Sequence, residues 1–461
     1  MPALPTTETI TEVSVTLTDP LFVVDTTPYS RDDIDRAVAA LCRYPAIAAP
    51  QGRRLAVCLK DSFQWLALCL HLKAQGGSVL PIHPATPVEA ARDLARETGC
   101  HHLLLDDGAT LEVLTPKAEC AAAEIAPGGE LIQLSSGTTG RPKTIVRSWA
   151  AIDRELESYI EAFPEAEGLT PIVACPITHS YGLICGVLAG LRRRQGQGPV
   201  PRVITNLNPR YILGTLRDHP RHLLYASPTL VSLLVRMLPQ EQGLHTVMLS
   251  GAALPAALLE TLHARARRVC QQYGCSEVGC IALAASADSP GLMGRPLGHL
   301  RVSAGHAAEA PEEIRVVVEG AGERVIATRD LGYLDAQGRL HFLARLDDTI
   351  NVAGINVYPG DVEDVFLRHP QIDDAVAFKR PDPYAGERVC LQFVAREPLG
   401  GEALRRWCRE RLAPHQVPML MEQVAYIDKL PNGKVSRQRL AQAHIGSGTT
   451  APGAAVEGVA P

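Results

Sequence analysis

Ser135-Ser-Gly-Thr-Thr-Gly-Arg-Pro-Lys143 follows directly on an apolar run that contains Leu131, Ile132 and Leu134. The hydroxyls of Ser135, Ser136, Thr138 and Thr139 stand with Gly137 and Gly140 and end on the ammonium of Lys143. Such a run lets the backbone approach a polyphosphate closely while N–H groups, hydroxyls and an ammonium face one anion. From Arg147 to Phe163 the residues Trp149, Ile152, Leu156, Tyr159 and Ile160 recur at roughly helical spacing, so the expected order is strand, phosphate loop, helix. The Walker loop spaces its glycines more widely and follows its lysine with Ser or Thr. Here only Thr138 and Thr139 separate Gly137 from Gly140, which makes this a phosphate loop of a different kind. A polar surface turn of Gly and Thr is the plain alternative, and the rest of the chain decides between them.

The chain has 461 residues, enough for roughly two to four structural units at about 150 residues each. Hydrophobic residues at 46% and charged residues at 21% suit a globular protein with a large core. A net charge of −5 leaves no global basic field for nucleic acid or an anionic membrane. Arg192, Arg193 and Arg194 precede a Gly/Gln/Pro turn and read as a solvated loop. The 12 cysteines show no CxxC or Cys/His zinc spacing, and Cys58, Cys69, Cys175 and Cys185 sit in apolar segments as buried thiols do. A reducing cytoplasm is therefore expected. The amino terminus lacks a basic start with an apolar core, so no signal peptide is expected, and no apolar run approaches the roughly 20 residues of a membrane span.

Ser30 and Asp33 open an amphipathic helix through Ile34, Val38 and Leu41 in the manner of a capping box. Strand-like Arg54–Leu59, Ser78–Ile82 and His102–Leu105 alternate with helix-like Gln64–Ala74 and Pro87–Thr98. The fold class expected is α/β, a large layered N-terminal domain with parallel sheets. The alternation resumes with Pro171–Cys175, a Gly-punctuated apolar segment His179–Leu191, strands at Arg202–Thr205 and Leu223–Ala226, and a helix at Pro228–Leu238. Thr246–Ser250 runs into Gly251-Ala252-Ala253 and Val269–Tyr273 into Gly274, so two strands end on glycine, where open α/β sheets bind ligands. Past about Gly298 the pattern becomes short and β-rich, and from Gly354 a small α+β unit begins with helices at Asp361–Arg368 and Glu402–Leu412. The expected division is an N-terminal domain over 1–345, a small mobile C-terminal domain over 346–445 and a disordered Gly/Ala/Thr/Pro tail over 446–461.

Further stretches, in order behind the phosphate loop, give the chain a family likeness. Tyr273-Gly274-Cys275-Ser276-Glu277, Thr328-Arg329-Asp330, the segment Arg345–Gly354 and Pro431-Asn-Gly-Lys434 resemble the adenylate-forming superfamily of acyl- and aryl-CoA synthetases, peptide-synthetase adenylation domains and luciferases. The resemblance runs from about Ser30 to Leu440 and is weakest before Gly129. It implies that Tyr273 flanks adenine, Ser276 contacts the α-phosphate and Glu277 binds magnesium. Gly251, Ala252 and Ala253 then wall the adenine, Asp330 takes the ribose hydroxyls, and Arg345 contacts ribose or phosphate. Asp347 is the implied domain hinge, and Gly354 lies where the backbone approaches the thiol. Lys434 meets the substrate carboxylate and the α-phosphate. Arg329 and Ala344 stand where relatives carry glycine. Each stretch also has a bland reading taken singly: a buried Tyr beside a surface Glu, a tight turn, a charged linker, a hairpin tip.

The implied reaction joins two anions, a carboxylate and the α-phosphate of ATP, so magnesium on Glu277 and the ammonium of Lys434 neutralise charge while aligning the attack. Pyrophosphate leaves, and the acyl-adenylate passes to a thiol, either of CoA or of a carrier-protein phosphopantetheine. Pro176–Leu183 matches the segment that lines the acyl pocket in the resemblance, with His179 where acyl and aryl members carry an aromatic residue or His. Between Cys175 and Leu191 there is no Asp to hold an α-ammonium, which favours a simple aryl or short-to-medium acyl acid over an amino acid. A histidine satisfied within the core is the other reading of His179. Ser180, Gly182, Cys275, Val278, Gly279 and Cys280 are the small pocket candidates. The absence of a basic residue at Asn356 leans toward a separate carrier protein over CoA. A stand-alone amino-acid ligase, a γ-phosphate kinase and a non-catalytic nucleotide-binding relative are the alternatives. The glycine spacing disfavours the kinase, and Glu277, Asp330 and Lys434 disfavour the non-catalytic relative.

Overall fold

The computed structural model describes residues 19–117, 124–135, 143–194, 198–318, 324–429 and 435–445. Ser30 and Asp33 cap the first long helix, Arg31–Leu41, reciprocally: the Ser30 amide donates to Asp33 Oδ2 at 2.8 Å and the Asp33 amide to Ser30 Oγ at 3.3 Å. The alternation that follows builds a six-stranded sheet in the order Thr110–Val113, His102–Leu105, Arg54–Val57, Ser78–Pro81, Glu130–Ser135, Lys143–Ser148. Its middle strands are parallel and its two edges antiparallel. A second sheet of 13 strands runs parallel from Phe22–Val24 through Arg202–Val203, Thr170–Val173, His222–Ala226 and Leu244–Leu249 to Ala266–Cys275. Beyond that strand it turns antiparallel into the β-rich part, which runs through Leu292–Pro296 and Leu340–Arg345 to an edge at Leu300–Ser303.

The period of two along each strand sorts side chains between layers. Leu55, Val57 and Leu131 join Val173, Leu223, Tyr225 and Met248 of the other sheet in one core, filled by the helices Ser62–Ala74 and Trp149–Ala162. Their neighbours Ala56 and Ile132 face outward against the helix Val88–Glu97. On the far side of the 13-stranded sheet, Leu224, Val247 and Leu249 pack under the helices Pro209–Asp218, Pro228–Met237 and Ala256–Arg265. The result is a layered α/β body. Separate from it, Ile350–Val352, Ile355–Val357, Ile372–Asp382, Gly386–Ala395 and Leu420–Gln423 form a third sheet packed on the helices Pro359–Leu367 and Gly401–Arg409. The two bodies touch where Asp364 Oδ1 accepts the Ala256 amide at 3.2 Å, supplying the cap that Pro255 cannot give its own helix.

Two expectations are corrected. The helix starts at Trp149, capped by Ser148 Oγ, and not at Arg147. Between loop and helix lies the strand Lys143–Ser148, whose β-branched Thr144, Ile145 and Val146 pair antiparallel with Glu130–Ser135. Nor are Arg192–Arg194 a solvated loop. They close the helix Ala189–Arg194, with Arg192 paired to Glu157, Arg193 donating to the Phe163 carbonyl at 3.0 Å, and Arg194 buried against Asp19 and Pro20. The Gly-punctuated segment is a π-helix, Tyr181–Leu188, a form that recurs at functional sites. The tail expected over 446–461 lies outside the described residues. Among the described residues no helix is long and apolar enough to cross a membrane.

The entry to the strand Glu130–Ser135 depends on close backbone approach. Gly129 holds φ +82°, a methyl there would collide with the Gly77 carbonyl, and that carbonyl also accepts Trp149 Nε1–H at 2.9 Å. Gly129→Ala is therefore expected to cost more than about 2 kcal/mol of stability. Urea unfolding followed by circular dichroism checks this, and a loss below about 0.5 kcal/mol would contradict it.

Candidate active site

Among the described residues, Lys143 meets Glu277, and Asp330 meets both Tyr273 and Arg345, which joins stretches the sequence marked separately. Of the phosphate loop, Ser136, Gly137, Thr138, Thr139 and Gly140 lie outside the described residues, and Ser135 is placed by its backbone as the last residue of its strand. Lys143 begins the return strand and sets Nζ 3.3 Å from Glu277 Oε1, across 134 residues of sequence. The lysine is largely exposed, so the pair adds little stability. Its meaning is geometric: the lysine that closes the phosphate loop and the carboxylate implied for magnesium address one volume.

Ser276 and Glu277 stand on the turn between the antiparallel strands Ala266–Cys275 and Gly279–Ala284, with a register shift at Tyr273/Gly274. This turn admits no side chain at two places. A methyl on Gly274 would strike the Gly279 carbonyl, and one on Gly279, at φ +91°, would strike the Glu155 carboxylate. Glu155 is fully buried, accepts the Cys280 amide at 2.7 Å and pairs with Arg147, which is 5% exposed. Through Glu155 the turn that carries Glu277 is fixed to the strand that carries Lys143. Neither Arg147 nor Glu155 was marked by the sequence, because each reads locally as an ordinary charge on a strand or helix.

Asp330 is the second hub. Its Oδ2 accepts the Tyr273 hydroxyl at 2.5 Å, and its Oδ1 lies 3.0 Å from Arg345 Nη1. Burial, then the Asp330 charge, pushes the Tyr273 hydroxyl far above its ordinary pKa, so it stays a donor. Tyr273 is 8% exposed and packs against Phe342. Arg329, where the family likeness implies glycine, keeps a glycine-like backbone at φ +62° and turns its guanidinium onto Asp347 Oδ1 at 2.8 Å. The implied hinge residue is thus tied to the strand that carries Asp330.

Gly251, Ala252 and Ala253 are exposed beyond the strand Leu244–Leu249, Gly251 at φ +89°. Ser250 Oγ donates to the Gln272 carbonyl at 3.1 Å and holds this end beside Tyr273. Of the pocket candidates, His179 is exposed on the turn before the π-helix, its amide donating to the Pro176 carbonyl at 3.2 Å. Gly182 lets that helix pass the same carbonyl, which a Cβ would approach to 2.5 Å. Ser180 Oγ donates at 2.5 Å to Oε1 of Gln133, a residue unmarked by the sequence. Cys280 joins the core between the sheets, whereas Val278 packs with Tyr273 in the β-rich part. Burial, reinforced by Glu277, pushes the Cys275 thiol up to about 12, so it is no rival nucleophile at neutral pH. Gly354, at φ +86°, is the exposed tip of the hairpin Ile350–Val357, and Lys434 lies outside the described residues.

Among the described residues no group of three or more His, Cys, Asp or Glu side chains is set to hold a metal. A single carboxylate at Glu277 fits magnesium, which keeps waters and shares phosphate oxygens with its substrate.

The chain matches the model for "AMP-binding enzyme" over residues 130–325 and that for "AMP-binding enzyme C-terminal domain" over 361–434. It is 36% identical over 426 residues to a 3,4-dihydroxybenzoate–[aryl-carrier protein] ligase of Bacillus anthracis, covering 92% of this chain and 100% of that one. A 2-succinylbenzoate–CoA ligase of Bacillus licheniformis is 27% identical, covering 67% of this chain and 69% of the relative. Among solved structures, the o-succinylbenzoate CoA synthetase of Bacillus subtilis in complex with its acyl-adenylate superposes with TM-score 0.77 at 19% identity, over 92% of this chain and 96% of that one, a likeness of fold.

Removing the Glu155 carboxylate leaves Arg147 charged and buried and the Cys280 amide without its acceptor. Glu155→Ala is expected to cost roughly 3–5 kcal/mol, and Glu155→Gln, which keeps an acceptor for Cys280, clearly less. Equal losses in urea titrations of the two variants would contradict the assignment.

Proposed function

The chain belongs to the AMP-binding enzymes, and on that premise we propose that its acid is a hydroxylated benzoate and its acceptor the phosphopantetheine thiol of a separate aryl carrier protein. The reaction class is that of an AMP-forming acid–thiol ligase: ATP activates a carboxylic acid as acyl-adenylate, pyrophosphate leaves, and a thiol takes the acyl group. One observation carries the choice of acid and acceptor. The chain aligns with the whole length of a ligase for 3,4-dihydroxybenzoate and an aryl carrier protein, at 36% identity. The pocket segment supports it, since no Asp lies between Cys175 and Leu191 to pair an amino acid's ammonium. We place the binding of ATP and acid in residues 1–345 and the moving catalytic part in 346–445. A reducing cytoplasm suits the free thiols of the described cysteines.

The chemistry is a problem of charge. The acid's carboxylate oxygen attacks the α-phosphorus, a bond forms between them, and the bond to the pyrophosphate oxygen breaks with its electron pair. Glu277 would hold magnesium, which would lower the negative charge on the phosphates. Lys143 holds the β- and γ-phosphates with the 135–140 loop, and Ser276 meets the α-phosphate. Asp330 already takes the Tyr273 hydroxyl and faces Arg345, which orients its remaining lone pairs for the ribose hydroxyls. Lys434 bridges the attacking carboxylate and the α-phosphate. Rotation about Asp347 then withdraws Lys434 and presents the Gly354 hairpin to the thiol.

ATP–pyrophosphate exchange with benzoates, fatty acids and amino acids, followed by thioester formation on an aryl carrier protein or on CoA, tests the reading. Exchange with dihydroxybenzoates and transfer to the carrier protein are expected. Exchange driven only by amino or fatty acids, or transfer to CoA alone, would overturn it. Lys434→Ala is expected to lower exchange on the order of 10²-fold or more while sparing thioester formation from supplied aryl-adenylate; equal loss of both half-reactions would remove the role given to it.

A further inference from the structure

Gln133 is an amide on a strand whose neighbours are apolar. Leu131 lies in the core between the sheets, Ile132 in the outer core, and Gln133 is 7% exposed. A buried amide is costly unless its polar atoms are bonded. Here the bonding is half complete: Oε1 accepts the Ser180 hydroxyl at 2.5 Å, while Nε2–H2 donates to no acceptor among the described residues. Ser180 spends its only proton on Gln133, so its oxygen keeps lone pairs to accept with. The pair therefore offers one amide donor and one hydroxyl acceptor side by side, at the mouth of the π-helix Tyr181–Leu188 and two residues before the phosphate loop begins. A phenol hydroxyl needs that complement, an oxygen that accepts one hydrogen bond and a proton that donates another.

We propose that Gln133, with Ser180 as its partner, is a specificity-determining residue that reads a ring hydroxyl of the aromatic acid. The proposal rests on the benzoate reading of the substrate and adds to it the residue that separates a hydroxylated ring from a bare one. An amide nitrogen with no acceptor among the described residues can discriminate, because an acid lacking the hydroxyl does not supply that bond.

The test compares kcat/KM in ATP–pyrophosphate exchange for 3,4-dihydroxybenzoate, 3-hydroxybenzoate, 4-hydroxybenzoate and benzoate in the wild type, Gln133→Leu and Ser180→Ala. In Gln133→Leu the preference for the hydroxylated acids over benzoate is expected to fall about tenfold or more, and in Ser180→Ala to fall by a smaller factor. The monohydroxy acids show which ring position is read. An unchanged preference in Gln133→Leu overturns the inference and leaves the benzoate reading intact. A wild type that exchanges with no benzoate overturns that reading, and this inference with it. Should Gln133→Leu fail to give a native circular dichroism spectrum and melt, Ser180→Ala alone decides, an unchanged preference counting against the proposal.

Discussion

A buried carboxylate holds the candidate site in register. Glu155 comes from the helix behind the phosphate loop, pairs with Arg147 on the loop's return strand, and accepts the amide of Cys280 just past the turn that carries Glu277. Both partners are buried, so the pair is costly to leave half made. Gly279 is glycine because it passes over that carboxylate. The 3.3 Å approach of Lys143 to Glu277 follows from the same anchorage.

Asp330 does comparable work nearer Asp347. It gathers Tyr273 from one strand and Arg345 from another, and Arg345 lies two residues before Asp347. Arg329 replaces a glycine of the family pattern without changing the backbone that glycine would adopt, and its side chain reaches Asp347. On the roles proposed, a nucleotide bound at Asp330 would sit next to the ion pair of Arg329 with Asp347, so that substrate binding and domain rotation would share one network.

Part of this is legible in the sequence. The Tyr273–Glu277 turn, Asp330 and Arg345 are local patterns that depend on residue type and short spacing, and the structure brings Lys143 to Glu277 and both Tyr273 and Arg345 to Asp330. The strand Lys143–Ser148 was missed because the helical spacing from Trp149 extends backward onto Arg147, and only pairing with Glu130–Ser135 reveals the β ladder. Arg194 was misjudged because its burial comes from Asp19, 175 residues away in sequence. Glu155 and Gln133 carried no local signal, since their roles exist only through partners on other elements. Positions that act through tertiary contacts are invisible to periodicity, and that is where the crevice gets its precision.

The central claim is that the carboxylate oxygen of an aromatic acid attacks the α-phosphorus of ATP. The most direct measurement uses 3,4-dihydroxybenzoate labelled with oxygen-18 in the carboxylate and follows the label by mass spectrometry through complete turnover onto the carrier thiol. Attack at the α-phosphorus leaves one labelled oxygen in AMP, because the bridging oxygen departs with the nucleotide when the thiol attacks the carbonyl carbon. Label in orthophosphate with release of ADP, or unlabelled AMP, would contradict the account.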